Sequence, residues 1–114
     1  MDTPTIVALH GFAGCGDDFA PLSEVWPARW KTPDVVGHGE VATPADPACY
    51  AIDAAATALG EAVAAAVDGP YTLLGYSMGG RLALSALLGP AAATFPSPAR
   101  LILIGATPGI ADPA

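Results

Sequence analysis

The segment Leu73-Leu74-Gly75-Tyr76-Ser77-Met78-Gly79-Gly80-Arg81 limits the folds open to this chain more than any other. The apolar run Tyr71-Thr72-Leu73-Leu74 reads as a strand covered on both faces. Leu82, Ala83, Leu84, Ala86, Leu87 and Leu88 read as a helix that stops at Gly89-Pro90. Between them one serine stands in the spacing Gly-x-Ser-x-Gly. That is the pattern of a strained strand-to-helix turn, a nucleophile elbow, which lifts a hydroxyl above the carboxyl edge of a sheet. Glycines flank such a serine because side chains there would collide with the adjoining strand and helix.

Strand and helix patterns alternate along the rest of the chain. Thr5-Ile6-Val7-Ala8-Leu9-His10 is an apolar strand, followed by a glycine-punctuated loop over 11–16. Asp17 or Asp18 is placed to cap a short helix whose apolar face is Phe19, Leu22, Val25 and Trp26. Pro33-Asp34-Val35-Val36 reads as a second strand ended by Gly37-His38-Gly39. Ile52, Ala56, Leu59, Val63 and Val67 share one face of a helix over 49–67, which ends at Gly69-Pro70. Arg100-Leu101-Ile102-Leu103-Ile104 is a fourth strand, and residues 106–114 read as irregular. This order predicts an α/β fold of three layers, a mostly parallel sheet with helices on both faces. Ligands of such sheets sit beyond the carboxyl ends of the strands. The loops over 11–16, 37–39, 76–80 and 106–109 are all expected at that edge.

Composition removes several function classes. Arg29, Lys31, Arg81 and Arg100 are the only Lys or Arg among 114 residues, and the formal net charge is -7. No basic footprint for nucleic acid exists. No apolar run reaches the ~18 residues of a membrane span. The acidic start Met1-Asp2-Thr3-Pro4 does not resemble a signal peptide. A cytoplasmic protein with no membrane partner is the expectation. Cys15 and Cys49 have no metal-ligand spacing and read as free thiols of a reducing compartment, with a disulfide left open. No metal site is expected.

Ser77 is the candidate nucleophile or base, and it needs a histidine to take its proton. The backbone N–H of Met78, at the helix start, and that of Phe12, after the first strand, are the candidate oxyanion donors. Arg81 lies about one helical turn beyond Ser77 and suits an anionic small-molecule substrate. The alternative for Arg81 is a structural pair with a neighbouring carboxylate. Tyr76 is expected to offer a phenol to the same pocket or to pack beneath it. His10 and His38 read as staples of loop backbone rather than as the catalytic base. Asp112 is a weak candidate for a triad acid, and no histidine follows Ser77 in these 114 residues.

Leu9-His10-Gly11-Phe12, Val36-Gly37-His38-Gly39 and Gly75-Tyr76-Ser77-Met78-Gly79-Gly80-Arg81 together resemble the successive landmarks of the α/β-hydrolase superfamily. The elbow and Leu103-Ile104-Gly105-Ala106-Thr107-Pro108-Gly109 are similar to its menaquinone-biosynthesis branch, the 2-succinyl-6-hydroxy-2,4-cyclohexadiene-1-carboxylate synthases. The resemblance implies that residues 1–114 are the N-terminal portion of a single α/β-hydrolase domain. That family's cap, strand-borne aspartate and late histidine are expected elsewhere. It further implies Ser77 as the triad serine, Phe12 and Met78 as oxyanion amides, and Arg81 and Tyr76 against substrate carboxylates. The implied reaction is a lyase reaction that expels pyruvate without cofactor or metal. An esterase or thioesterase on the same scaffold, and a non-catalytic hydrolase-like module, are the alternatives. A truncated sheet also predicts self-association through its open edge.

Overall fold

The computed structural model describes residues 3–39 and 45–106, the side chain of Cys49 excepted. Among these residues β1 (Thr5–Leu9), α1 (Ala20–Val25), β2 (Arg29–Lys31), α2 (Ile52–Ala66), β3 (Thr72–Tyr76), α3 (Met78–Leu88) and β4 (Arg100–Ile104) follow one another. Short 3-10 turns at Gly16–Phe19, Pro47–Tyr50 and Pro90–Ala93 link them. The strands pair parallel throughout, in the order β2-β1-β3-β4.

The two central strands are apolar at every buried position because both of their faces are covered. Successive side chains of a strand point to opposite faces. Val7, Leu9 and Leu73 therefore enter one core, closed by Ala55, Ala56, Leu59 and Val63 of α2 and by Leu82, Ala83 and Ala86 of α3. Ile6, Ala8 and Leu74 enter the other, closed by Phe19 with Leu22 of α1 and Trp30 of β2. Three layers result, as the alternation predicts. A Ser85 hydroxyl donates to the Asp53 carboxylate at 3.0 Å and ties α3 to α2.

Three expectations need correction. The second strand is Arg29–Lys31, not residues 33–36. Val35 is buried, but its N–H donates to the His10 ring at 2.9 Å and is not free to join a ladder. Neither acid begins the first helical turn as a cap: Cys15 precedes it, and Asp18 lies inside it with its carboxylate accepting the Cys15 N–H at 3.2 Å. Val25 is 76% exposed rather than buried. It closes a six-residue helix, and the chain then turns at Trp26, whose carbonyl accepts the Trp30 indole N–H at 3.0 Å.

From β1 the chain reaches β2 on one side and β3 on the other. The strand order thus reverses between the carboxyl ends of β1 and β3. Open parallel sheets form their ligand crevices at such a switch point.

Candidate active site

Ser77 occupies the turn between β3 and α3 with φ 53 and ψ -113, a conformation that L side chains rarely adopt. Such strain costs about 1–3 kcal/mol and persists only where the surroundings impose it. Here the Ser77 N–H donates to the Ile104 carbonyl at 2.9 Å, and the Ser77 carbonyl accepts the N–H groups of Gly80 at 3.0 Å and Arg81 at 3.2 Å. The glycines set the spacing. A Cβ on Gly75 would lie 2.5 Å from Gly80 Cα, and one on Gly79 would lie 2.0 Å from the Leu9 carbonyl oxygen. One on Gly80 would lie 2.2 Å from Ala106 Cβ. Only bare backbone lets α3 start so close to the ends of β1, β3 and β4. Ser77 is exposed at the edge of the sheet.

The loop after β1 stands beside it. A Cβ on Gly11 would lie 3.7 Å from Ser77 Cβ and 3.2 Å from the Tyr76 ring. The Gly14 N–H donates to the Gly11 carbonyl at 3.0 Å and closes a turn over Phe12 and Ala13. Ala13 has φ 63, a left-handed value of the kind the third position of a type II turn adopts. Met78 is the first residue of α3, where an N–H has no acceptor within the helix and the helix dipole is positive.

Both histidines staple this loop to the one after β2. His10 is fully buried; its Nδ1 donates to the Gly11 carbonyl at 2.8 Å and its Nε2 accepts the Val35 N–H. His38 Nδ1 donates to the Val36 carbonyl at 3.0 Å, and its Nε2 accepts the Ala13 N–H at 3.0 Å. Carbonyls only accept and amides only donate, so both rings are neutral with the proton on Nδ1. His10 Nε2 lies 4.0 Å from Asp34 Oδ1, but an unprotonated nitrogen forms no ion pair there. Asp34 Oδ1 instead accepts the Gly16 N–H at 2.7 Å, a third bond between the two loops. With both ring nitrogens engaged, neither histidine is placed to take a proton from Ser77.

Two cavities flank residues 10–12. One, about 290 Å³, is lined by Phe12, Met78 and Arg81 together with His38 and Tyr50. Among the described residues no carboxylate pairs with the Arg81 guanidinium. The other, about 240 Å³, is lined by Tyr76 with His10, Gly11, Phe19, Leu22 and Ile104. The structure thus gathers Phe12, Met78 and Arg81 at one cavity and assigns Tyr76 to the neighbouring one. Tyr50 carries no signal in the sequence, because a 3-10 turn brings it to the site. Asp112 and residues 107–109 lie outside the described residues. Among the described residues no three His, Cys, Asp or Glu side chains are grouped to hold a metal ion. Nor is any helix long and apolar enough to cross a membrane.

The sequence pattern of the alpha/beta hydrolase fold family matches residues 4–109. A Bacillus subtilis (strain 168) protein provisionally named 2-succinyl-6-hydroxy-2,4-cyclohexadiene-1-carboxylate synthase is 36% identical over 107 residues, which are 92% of this chain and 37% of that protein. The structure of MenH from S. aureus superposes with a TM-score of 0.79 at 33% identity, over 98% of this chain and 41% of that one. An esterase from Exiguobacterium antarcticum gives 0.75 at 30% identity, over 90% and 38%. The chain therefore spans about two fifths of the length of these relatives. It belongs to the alpha/beta hydrolase fold family and, within that family, resembles the 2-succinyl-6-hydroxy-2,4-cyclohexadiene-1-carboxylate synthases.

Proposed function

We propose that this chain is the N-terminal portion of a MenH-like lyase that eliminates pyruvate from a polycarboxylate intermediate of menaquinone biosynthesis. Ser77, poised by a histidine from the rest of the protein, acts as the base that starts the proton abstraction. The N–H groups of Met78 and Phe12 stabilise negative charge as it develops on the substrate. Arg81 holds a substrate carboxylate, and the Tyr76 phenol meets the substrate from the adjoining cavity. The observation that carries this reading is Arg81: a guanidinium with no carboxylate partner among the described residues lines the same cavity as Phe12 and Met78.

The test is pyruvate release by the intact protein. Ser77→Ala is expected to lower kcat by about 10³-fold or more. Loss of a charge-assisted contact of about 1.5–3 kcal/mol predicts that Arg81→Ala lowers kcat/KM by roughly 10- to 100-fold. Unchanged kinetics in Arg81→Ala would remove its substrate role. The likeness to an esterase supports a second reading, a serine ester hydrolase. Rapid turnover of a neutral p-nitrophenyl ester with no pyruvate released would establish that one instead.

A further inference from the structure

We propose that His38 is a positioning residue for the Phe12 amide, holding the loop after β1 in shape only while its Nε2 is unprotonated. The proposal rests on the reading of Phe12 as an oxyanion donor. In a trans peptide the carbonyl and the following N–H lie in one plane and point in opposite directions. The direction of the Phe12 N–H is therefore fixed by whatever holds the Gly11 carbonyl. Two donors hold it, His10 Nδ1 at 2.8 Å and the Gly14 N–H at 3.0 Å. The Gly14 bond closes a turn in which Ala13 adopts φ 63, which costs a residue with a Cβ roughly 1–2 kcal/mol. The contact that offsets this cost is the Ala13 N–H to His38 Nε2 bond. His38 is in turn fixed by its Nδ1 bond to the Val36 carbonyl and by its own N–H, which donates to the Val35 carbonyl at 2.9 Å. The Val35 N–H closes the circuit on His10.

An imidazolium has donors on both nitrogens and no acceptor. A proton on His38 sets N–H against the Ala13 N–H, and the left-handed turn loses its support. The Gly11–Phe12 peptide is then held by His10 alone, and the Phe12 N–H loses its fixed aim. Among the described residues, the titratable and charged groups that face His38 are His10, with ring centroids 5.1 Å apart, and Tyr50 and Arg81 across the shared cavity. His38 is only partly buried, so a proton reaches it without unfolding the chain.

The experiment follows the through-hydrogen-bond coupling between the Ala13 amide nitrogen and His38 Nε2 in the ¹⁵N-labelled full chain. The coupling is expected at neutral pH and lost on acidification, with the Phe12 and Gly14 amide resonances moving in step. His38→Gln sets a non-titrating amide oxygen near the place of Nε2 and is expected to hold the Phe12 and Gly14 resonances still over the same range. In the intact protein, His38→Phe should lower kcat about 10-fold or more at unchanged KM, since oxyanion donors act in the transition state. His38→Gln should restore most of that loss. Absence of the coupling at neutral pH, or a Phe12 amide that stays put while the coupling vanishes, overturns the positioning role whatever Ser77 does. A Ser77→Ala protein with undiminished turnover overturns the serine reading, and the positioning role with it, even where the coupling is present.

Discussion

Gly79 stands where the first turn of α3 meets the end of β1, and a methyl group there would sit 2.0 Å from the Leu9 carbonyl oxygen. That contact is backbone on backbone, so no side chain can swing away to relieve it. Overpacking a rigid site costs about 1–3 kcal/mol or more, a large part of a small domain's stability. Gly79→Ala is expected to lose at least ~3 kcal/mol in urea denaturation followed by circular dichroism. Gly69 is the control, because a Cβ there meets nothing within 4 Å. Gly69→Ala should be neutral or stabilising by up to ~1 kcal/mol, since it narrows only the unfolded ensemble. Equal losses at the two positions would show that close approach is not what the elbow glycines provide.

At the scale of elements, the connection from α3 to β4 is tied to β3 by Tyr71. The Tyr71 hydroxyl, just before β3, donates to the Pro96 carbonyl, and the Ala99 N–H donates to the Tyr71 carbonyl at 2.8 Å. Burial pushes the Tyr71 phenol up to about 12 from its usual 10.0. The folded state therefore keeps its proton at a pH where the unfolded chain has released it. The stability from the neutral phenol is complete below about pH 10 and is lost as pH rises toward 12. The urea midpoint should fall across that interval, and Tyr71→Phe should flatten the fall while lowering stability by about 1 kcal/mol at neutral pH. An unaltered pH profile in Tyr71→Phe would assign the alkaline loss elsewhere. β2 shows why some elements were legible in the sequence and others were not. β1, β3 and β4 announce themselves as apolar runs. Arg29-Trp30-Lys31 is an edge strand held by backbone pairing, with the Arg29 N–H on the Pro4 carbonyl at 2.7 Å, and its exposed charges carry no strand signal. Val35-Val36 carries the signal but spends its backbone on a histidine ring.

Across the whole molecule, parallel order brings the loops after β1, β2 and β3 to one edge, and Ala106, just after β4, packs against Gly80 there. That convergence was legible because it follows from topology alone. The division of Arg81 and Tyr76 between two cavities was not, because it depends on how a strained turn rotates neighbouring side chains. Among the described residues the sheet has two unlike edges. β2 presents Arg29 and Lys31, charges that discourage strand addition. β4 pairs with β3 on one side, no strand covers its other side among the described residues, and Leu101, Leu103 and Ile104 are each about two fifths exposed. An apolar strand with an open ladder is a template for another strand. The formal charge of -7 opposes association only over a Debye length, about 10 Å at 0.1 M salt. The 114-residue chain is therefore expected to self-associate through β4, more strongly as salt is raised. Sedimentation velocity should show species larger than monomer, and Leu103→Lys should shift the distribution toward monomer by placing a charge on the open edge. A wild-type chain that stays monomeric at about 100 μM in high salt would show that β4 is protected by its own surroundings.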